Sequence, residues 1–346
     1  MKSILVILGL YVFAMPFGYL LDIVGVPLSW MIGPMLSTAF LVSTGMVRQK
    51  VPTSTRPVGQ IVVATFVGAH FSPEAFHALR QTAPLLVSVS LFTLGGALLV
   101  ARLQMRVFST DPVTAVLSTV PTSPVEAGIL AETYGVPPTP VIFSQTIRIA
   151  MVVLLVPFAL FAANGFETHQ PPPAQSIEAA AGALWIMVGG AVLGVTVFKT
   201  LRLTNPFFLG PLFASSALAA LGLQSFVIPD QVLWAAQLIL GTWLGACFRP
   251  DLLRSGRQLV GSVLMTSFLL LVLCGAGSVL FSRFVEVPVS TLLLGAAPGG
   301  ATEMALTAGI LGLDVALVTA IHLTRIFIIM PSLSWIAKTQ HKSASR

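Results

Sequence analysis

The chain has 346 residues, 55% of them hydrophobic and only 9% charged, with a net charge of +6. A soluble domain carries about a quarter charged residues, so this composition excludes an ordinary soluble protein and places the chain in a bilayer. The positive charge is spread over loops and the C-terminal end, which excludes the clustered basic face that nucleic acid needs and fits the cytoplasmic loops of a membrane protein.

In chain order, apolar stretches fall at 4–24, 28–46, 57–71, 83–101, 113–134 and 139–163. Six more fall at 177–198, 206–223, 232–248, 259–282, 289–311 and 315–337. Most have roughly 17–25 residues, enough to cross a hydrocarbon core about 30 Å thick. Those at 57–71 and 232–248 are short. Residues 164–176, with three consecutive prolines among polar residues, read as a linker between two membrane parts, 1–163 and 177–346.

The two parts are copies at a constant offset of 177 residues. Gly33-Pro34 returns as Gly210-Pro211, Gln60 as Gln237, and Gly68-Ala69 as Gly245-Ala246. Pro121, Glu126 and Arg148 return as Pro298, Glu303 and Arg325, with no gap from residue 33 to residue 148. Met1-Lys2 before an apolar run has the look of a leader. Residues 4–24 correspond to 181–201 inside the chain, so the first run is read as a membrane segment. An apolar chain in two homologous halves is how many secondary transporters are built.

The fifth stretch of each half is expected to be broken. It reads Leu-Ser-Thr-Val-Pro-Thr-Ser-Pro-Val-Glu at 117–126 and Leu-Gly-Ala-Ala-Pro-Gly-Gly-Ala-Thr-Glu at 294–303. Proline removes a helical donor and glycine tolerates non-helical angles. Such backbone survives at membrane depth only where protein buries it or it lines a cavity. Charge then chooses a topology. If all twelve stretches cross, Lys199 and Arg202 face outside, against the positive-inside rule. If the fifth of each half re-enters, Lys2, Arg48, Lys50, Arg56, Arg102, Arg106, Lys199, Arg202, Arg249, Arg254, Arg257, Lys338, Lys342 and Arg346 all face the cytoplasm. Asp22, the linker with Glu167, Asp230 and Glu286 then face outside. The expected fold is therefore an all-α membrane protein of two inverted repeats. Each repeat has about five crossing helices plus one broken or re-entrant segment, and both termini are cytoplasmic. An irregular twelve-crossing bundle is the alternative.

The broken segments carry the candidate solute site. Pro298-Gly299-Gly300 opens a half-helix whose free N–H groups suit an anion or carboxylate, with Glu303 in its first turn. Glu303 equally reads as an acid that stabilises its own helix. In the first half, Pro121, Ser123 and Glu126 hold the same places. Downstream, His322 and Arg325 share one helix face, as do Gln145 and Arg148. A buried arginine cannot shed its proton and must meet an acceptor. The equal spacing of Glu126 to Arg148 and Glu303 to Arg325 points to one Glu–Arg pair per half. His322 reads as a hydrogen-bonding residue, since its counterpart Gln145 cannot titrate. Asp314 reads as a helix N-cap. Gly33-Pro34 and Gly210-Pro211 read as packing or kink sites, Gly68 and Gly245 as helix stops, and Cys247 and Cys274 as packed thiols.

On Pro298-Gly299-Gly300, Glu303-Met304, Asp314, His322 and Arg325, the chain resembles the AbrB family of bacterial membrane proteins, the membrane AbrB duplication family. The first copy departs from the glycine-rich pattern, with Thr122-Ser123-Pro124 before Glu126. The resemblance implies a multi-pass inner-membrane protein and leaves its activity open. Members have been labelled ammonia monooxygenases, and others regulators of gene expression. They are distinct from the small DNA-binding regulators of the same name. His70, His77, His169, His322 and His341 form no metal-ligand spacing, so no catalytic residue, metal or cofactor is expected, and the monooxygenase label is disfavoured. No DNA-binding module is present, so any regulatory effect would be indirect. The favoured expectation is a secondary transporter of a small solute, an anion among the candidates, with proton coupling through Glu303 or Glu126. Its partners would be the lipid bilayer, the solute and a second copy in a homo-oligomer. A membrane sensor or regulator is the alternative.

Overall fold

The computed structural model describes residues 2–47, 54–163, 180–222, 228–248 and 257–344. The expected linker at 164–176 and the basic residues Arg48, Lys50, Arg249 and Arg254 lie outside the described residues. Among the described residues the chain is all helical, with fifteen helices and no strand. A bilayer offers the backbone no water, so an apolar chain satisfies its N–H and C=O groups within helices.

The first half contains α1 (Lys2–Ile23), α2 (Ser29–Ser43), α3 (Arg56–Gly68), α4 (Pro73–Gln81), α5 (Ala83–Phe108), α6 (Pro112–Thr119), α7 (Pro124–Thr133) and α8 (Pro138–Ala163). The second contains α9 (Ala180–Thr200), α10 (Pro206–Ala220), α11 (Asp230–Gly245), α12 (Arg257–Phe281), α13 (Val289–Ala296), α14 (Ala301–Ile310) and α15 (Val315–Ala344). Parts of α5, α8, α12 and α15 are long and apolar enough to cross a membrane, at Ala83–Phe108, Pro138–Ala162, Gln258–Phe281 and Val315–Leu333. Shorter apolar helices occupy Ile7–Ile23, Ser29–Ser43, Trp185–Thr200 and Pro206–Ala220. The bounds of α2, α6 and α7 stand 177 positions before those of α10, α13 and α14.

Both fifth segments are interrupted. Val120 (ψ 123) and Ala297 (ψ 135) leave helical angles directly before Pro121 and Pro298. Proline disfavours helical angles in the residue before it, and here that ends α6 and α13. The helix α4 was not expected from hydropathy. It has no buried residue, and it starts on Ser72, whose Oγ accepts from the Ala75 N–H at 3.3 Å, followed by Pro73 at the first position.

The chain divides into two compact units. The first comprises Met1–Thr82, Pro157–Ala246 and Ala305–Leu317, the second Ala83–Val156, Cys247–Met304 and Val318–Arg346. Each draws on both sides of the 164–176 stretch.

The first unit is packed through glycine. A Cβ on Gly33 would meet the backbone of Phe17 and Gly18 at 2.6 Å, so α2 lies directly on α1. Gly194 and Gly210 seat α9 on α10 in the same way. Gly68 of α3 meets the Leu212 carbonyl of α10, while Gly241 and Gly245 of α11 meet the Met31 and Met35 carbonyls of α2. Lipid supplies no hydrophobic drive between helices, so close backbone contact over small residues holds them. The order of the contacts, Met31 with Gly241 and Met35 with Gly245, shows that α2 and α11 run parallel. Gly33-Pro34 is thus a packing site, and α2 continues through Pro34.

In the second unit α5 and α12 lie antiparallel. Gln104 donates to Ser262 Oγ at 3.0 Å near one end, and Phe92 meets Phe281 edge-on at 5.7 Å near the other. Phe143 and Ile147 of α8 pack with Val263 of α12, and Met151, Phe248, Leu259 and Val260 lie against them. Gly295 of α13 admits Ile321 of α15, since a Cβ there would reach its Cδ1 at 2.5 Å.

Candidate functional site where the two broken segments meet

A helix that ends inside a membrane leaves its last carbonyls without partners. In the second unit α8 and α15 supply them. Gln145 Nε2 donates to Leu117 O at 2.6 Å and Val120 O at 3.0 Å. Arg148 Nη1 donates to Ser118 O and Thr119 O at 3.2 and 3.1 Å, and its Nη2 donates to Gln145 Oε1. In the second half, His322 Nε2 bonds Leu294 O at 2.9 Å. Arg325 Nη1 donates to Ala297 O at 2.7 Å and Nη2 to Gly299 O at 3.1 Å. The same Nη2 donates to His322 Nδ1 at 2.7 Å.

A bond also crosses from one break to the other: Arg148 Nε donates to Pro298 O at 2.9 Å. The carbonyls of Ala297, Pro298 and Gly299 are therefore held in turn by Arg325, Arg148 and Arg325. Gln145 and His322 are fully buried, and Arg148 and Arg325 are only 2% and 4% exposed. A helix C-terminus carries partial negative charge, so a guanidinium belongs there. Its planar fork serves several carbonyls at once, which the round ammonium of lysine does not.

The Glu–Arg pairs that the spacing suggested give way to this arrangement. Both arginines bond carbonyls and the polar residue one turn earlier on their own helix. Glu126 stays beside its own helix, where it accepts from Thr122 Oγ1 at 3.2 Å. Ser123 is the N-cap of α7 and Glu126 stands three positions on, in the first turn of the helix. Glu303 is nine-tenths buried in the first turn of α14, with its carboxylate lying against Gly300. So arginine sits at the C-terminal end of α6 and α13, and glutamate at the start of α7 and α14. Each half-helix end meets the charge that complements its dipole.

The remaining expected residues lie in the breaks. Pro121 is buried, and Ser123 offers its carbonyl to the Ala127 N–H while its hydroxyl caps nothing. Gly299 has no room for a side chain, since a Cβ would meet Val152 at 2.8 Å. Gly300 is crowded by Glu303 itself. Asp314 caps α15, accepting from the Leu317 N–H at 2.8 Å. Sequence reasoning missed Thr122, whose N–H reaches Gln145 Oε1 at 3.4 Å and whose hydroxyl also reaches Met330 Sδ at 3.3 Å. No local motif marks Thr122. Cys274 of α12, read from the sequence as a packed thiol, is buried. Among the described residues, no three or more His, Cys, Asp or Glu side chains gather to hold a metal ion.

The family model described as "Transition state regulatory protein AbrB" matches residues 30–340. The chain belongs to the AbrB family. It is 25% identical over 315 residues to "Putative regulator AbrB" of Escherichia coli (strain K12), covering 89% of this chain and 88% of that one. It is 23% identical over 344 residues to "Uncharacterized protein YhjN" of Bacillus subtilis (strain 168), covering 90% and 87%. Family and apolar helices together make this AbrB-family chain an integral membrane protein.

Proposed function

We propose that this AbrB-family protein is a secondary transporter of the bacterial inner membrane, moving a small solute past the breaks at 120–123 and 297–300. The observation that carries the proposal is the Arg148–Pro298 bond, which ties two interrupted membrane segments into one charged, hydrogen-bonding centre. Interrupted helices that bring backbone groups and fixed charges to membrane depth are how transporters build solute sites. Glu126 is half-buried and Glu303 nine-tenths buried beside these breaks, which suits either carboxylate to carry a coupled proton. An anionic solute would have to compete with these two carboxylates for the N–H groups at the start of α7 and α14.

The proposed architecture is a duplicated, inverted one. Helices α5 and α12 hold equivalent places in the two halves, and their antiparallel packing supports inversion. The parallel packing of α2 on α11 agrees, because α11 follows α10, the counterpart of α2.

The test is a stability screen of purified protein against metabolites, followed by flux of each stabilising solute in proteoliposomes. Binding to the folded state raises its apparent stability. Concentrative, protein-dependent uptake supports the transporter. A second reading rests on the Escherichia coli relative, whose name says regulator. If no solute binds or moves while substitutions in the breaks alter reporter expression, the transporter reading falls and a membrane regulator stands.

A further inference from the structure

We infer that His322 is a positioning residue, held as the neutral Nε2–H tautomer, that aims Arg325 at the break before α14. The assignment follows from what its two partners can do. Arginine has only donors, so Nδ1, 2.7 Å from Arg325 Nη2, must accept. A carbonyl oxygen only accepts, so Nε2, 2.9 Å from Leu294 O, must donate. One protonation state satisfies both bonds. A second proton on the ring would set an N–H against an N–H beside a fixed cation, in a side chain with no exposure to solvent. The charged or titratable groups around this pair are Arg325 on the same helix, Arg148 on α8 and Cys274 on α12, with Glu303 of α14 next to Gly300.

The other half performs the same task with an amide. Gln145 Oε1 accepts from Arg148 Nη2, and Gln145 Nε2 donates to Leu117 O, the counterpart of Leu294 O. Glutamine presents the same acceptor and donor without an ionisable proton. The imidazole in the second half is therefore a hydrogen-bond bridge, and a proton coupled to transport would travel on another group. This consequence for transport rests on the breaks being the solute site, whereas the bridge itself does not.

The test uses full-length protein in detergent and in liposomes. Histidine labelled with 15N in the ring is compared between the parent and His322→Gln, which identifies the His322 signals among the five histidines of the chain. Those signals keep the neutral Nε2–H pattern from about pH 5 to 8, the range in which an ordinary histidine titrates. Conversion to the doubly protonated ring, or the Nδ1–H pattern, overturns the assignment. Thermal melting gives an independent reading. His322→Gln melts close to the parent, while His322→Leu, which deprives both Arg325 and Leu294 of a partner, melts on the order of 5 °C lower or fails to fold. Equal losses for the two variants would overturn the bridge role. With a transported solute, His322→Gln keeps the pH profile of flux, and a flattened profile overturns the consequence for coupling. If no solute moves even in the parent, the transporter reading fails, and the ring signals and melting still decide the role of His322.

Discussion

At the residue scale, the four buried polar side chains Gln145, Arg148, His322 and Arg325 act chiefly on backbone carbonyls. That was only half legible in the sequence. An arginine inside Ile147-Arg148-Ile149 must have an acceptor, and the sequence says so. Which acceptor it takes is another matter: a carboxylate is visible as a letter, whereas the carbonyls freed by Pro121 and Pro298 are not. The equal Glu-to-Arg spacing reflects the repeat and not a contact. Double-mutant cycles separate the two accounts. Residues in one hydrogen-bond network couple by about 0.5–3 kcal/mol, and residues without shared partners add to within about 0.5 kcal/mol. Arg325→Ala with His322→Leu is expected in the first class, and Arg325→Ala with Glu303→Gln nearer the second. A larger coupling for Glu303 than for His322 in melting experiments would restore the ion pair. Arg148 makes the sharper single test. Lysine keeps the charge but cannot reach Ser118, Thr119, Gln145 and Pro298 together. Arg148→Lys should cost roughly 2 kcal/mol of stability, from buried acceptors left unpaired. Unchanged melting would mean that the Arg148 link between the two breaks carries no energy.

At the element scale, the breaks were the most legible feature, because proline and glycine declare themselves in any context. The helix α4 was the least legible by hydropathy, being short and without a buried face, although Ser72-Pro73-Glu74 is a good helix start. The glycines of long helices fall between. Gly245 ends a helix, as its place before Phe248 and Pro250 suggested, but its tighter constraint is the α2 backbone beneath it. A Cβ there would collide with the Met35 carbonyl and approach the Ala39 nitrogen at 2.9 Å. At Gly300 the obstacle is the tip of the Glu303 side chain, which can swing away. Size alone therefore ranks two identical substitutions. Gly300→Ala should cost about 1 kcal/mol, the worth of a disturbed helix cap. Gly245→Ala should cost about 3 kcal/mol or prevent folding, because neither helix backbone can yield without losing its other close contacts. Expression and melting of the two variants side by side measure this. The opposite order would show that the first unit is more compliant than its packing implies.

At the scale of the whole molecule, the sequence repeat and the helix directions bear on one question, the orientation of the second half. Charge in the loops favours inversion, because Lys199 and Arg202 reach the cytoplasm only if each half crosses an odd number of times. Antiparallel α5 and α12 favour it on a separate ground, since equivalent helices of parallel copies would run the same way. Neither argument uses the other's facts. Single cysteines in a variant lacking Cys247 and Cys274 test both at once. A cysteine at 170 should react with an impermeant maleimide added to intact cells with a permeable outer membrane. Cysteines at 200 and 254 should react only after the inner membrane is opened. Labelling of 170 and 254 from the same side would make the halves parallel. In that event the broken segments must cross completely, and the helix directions in the second unit would be at fault along with the charge rule.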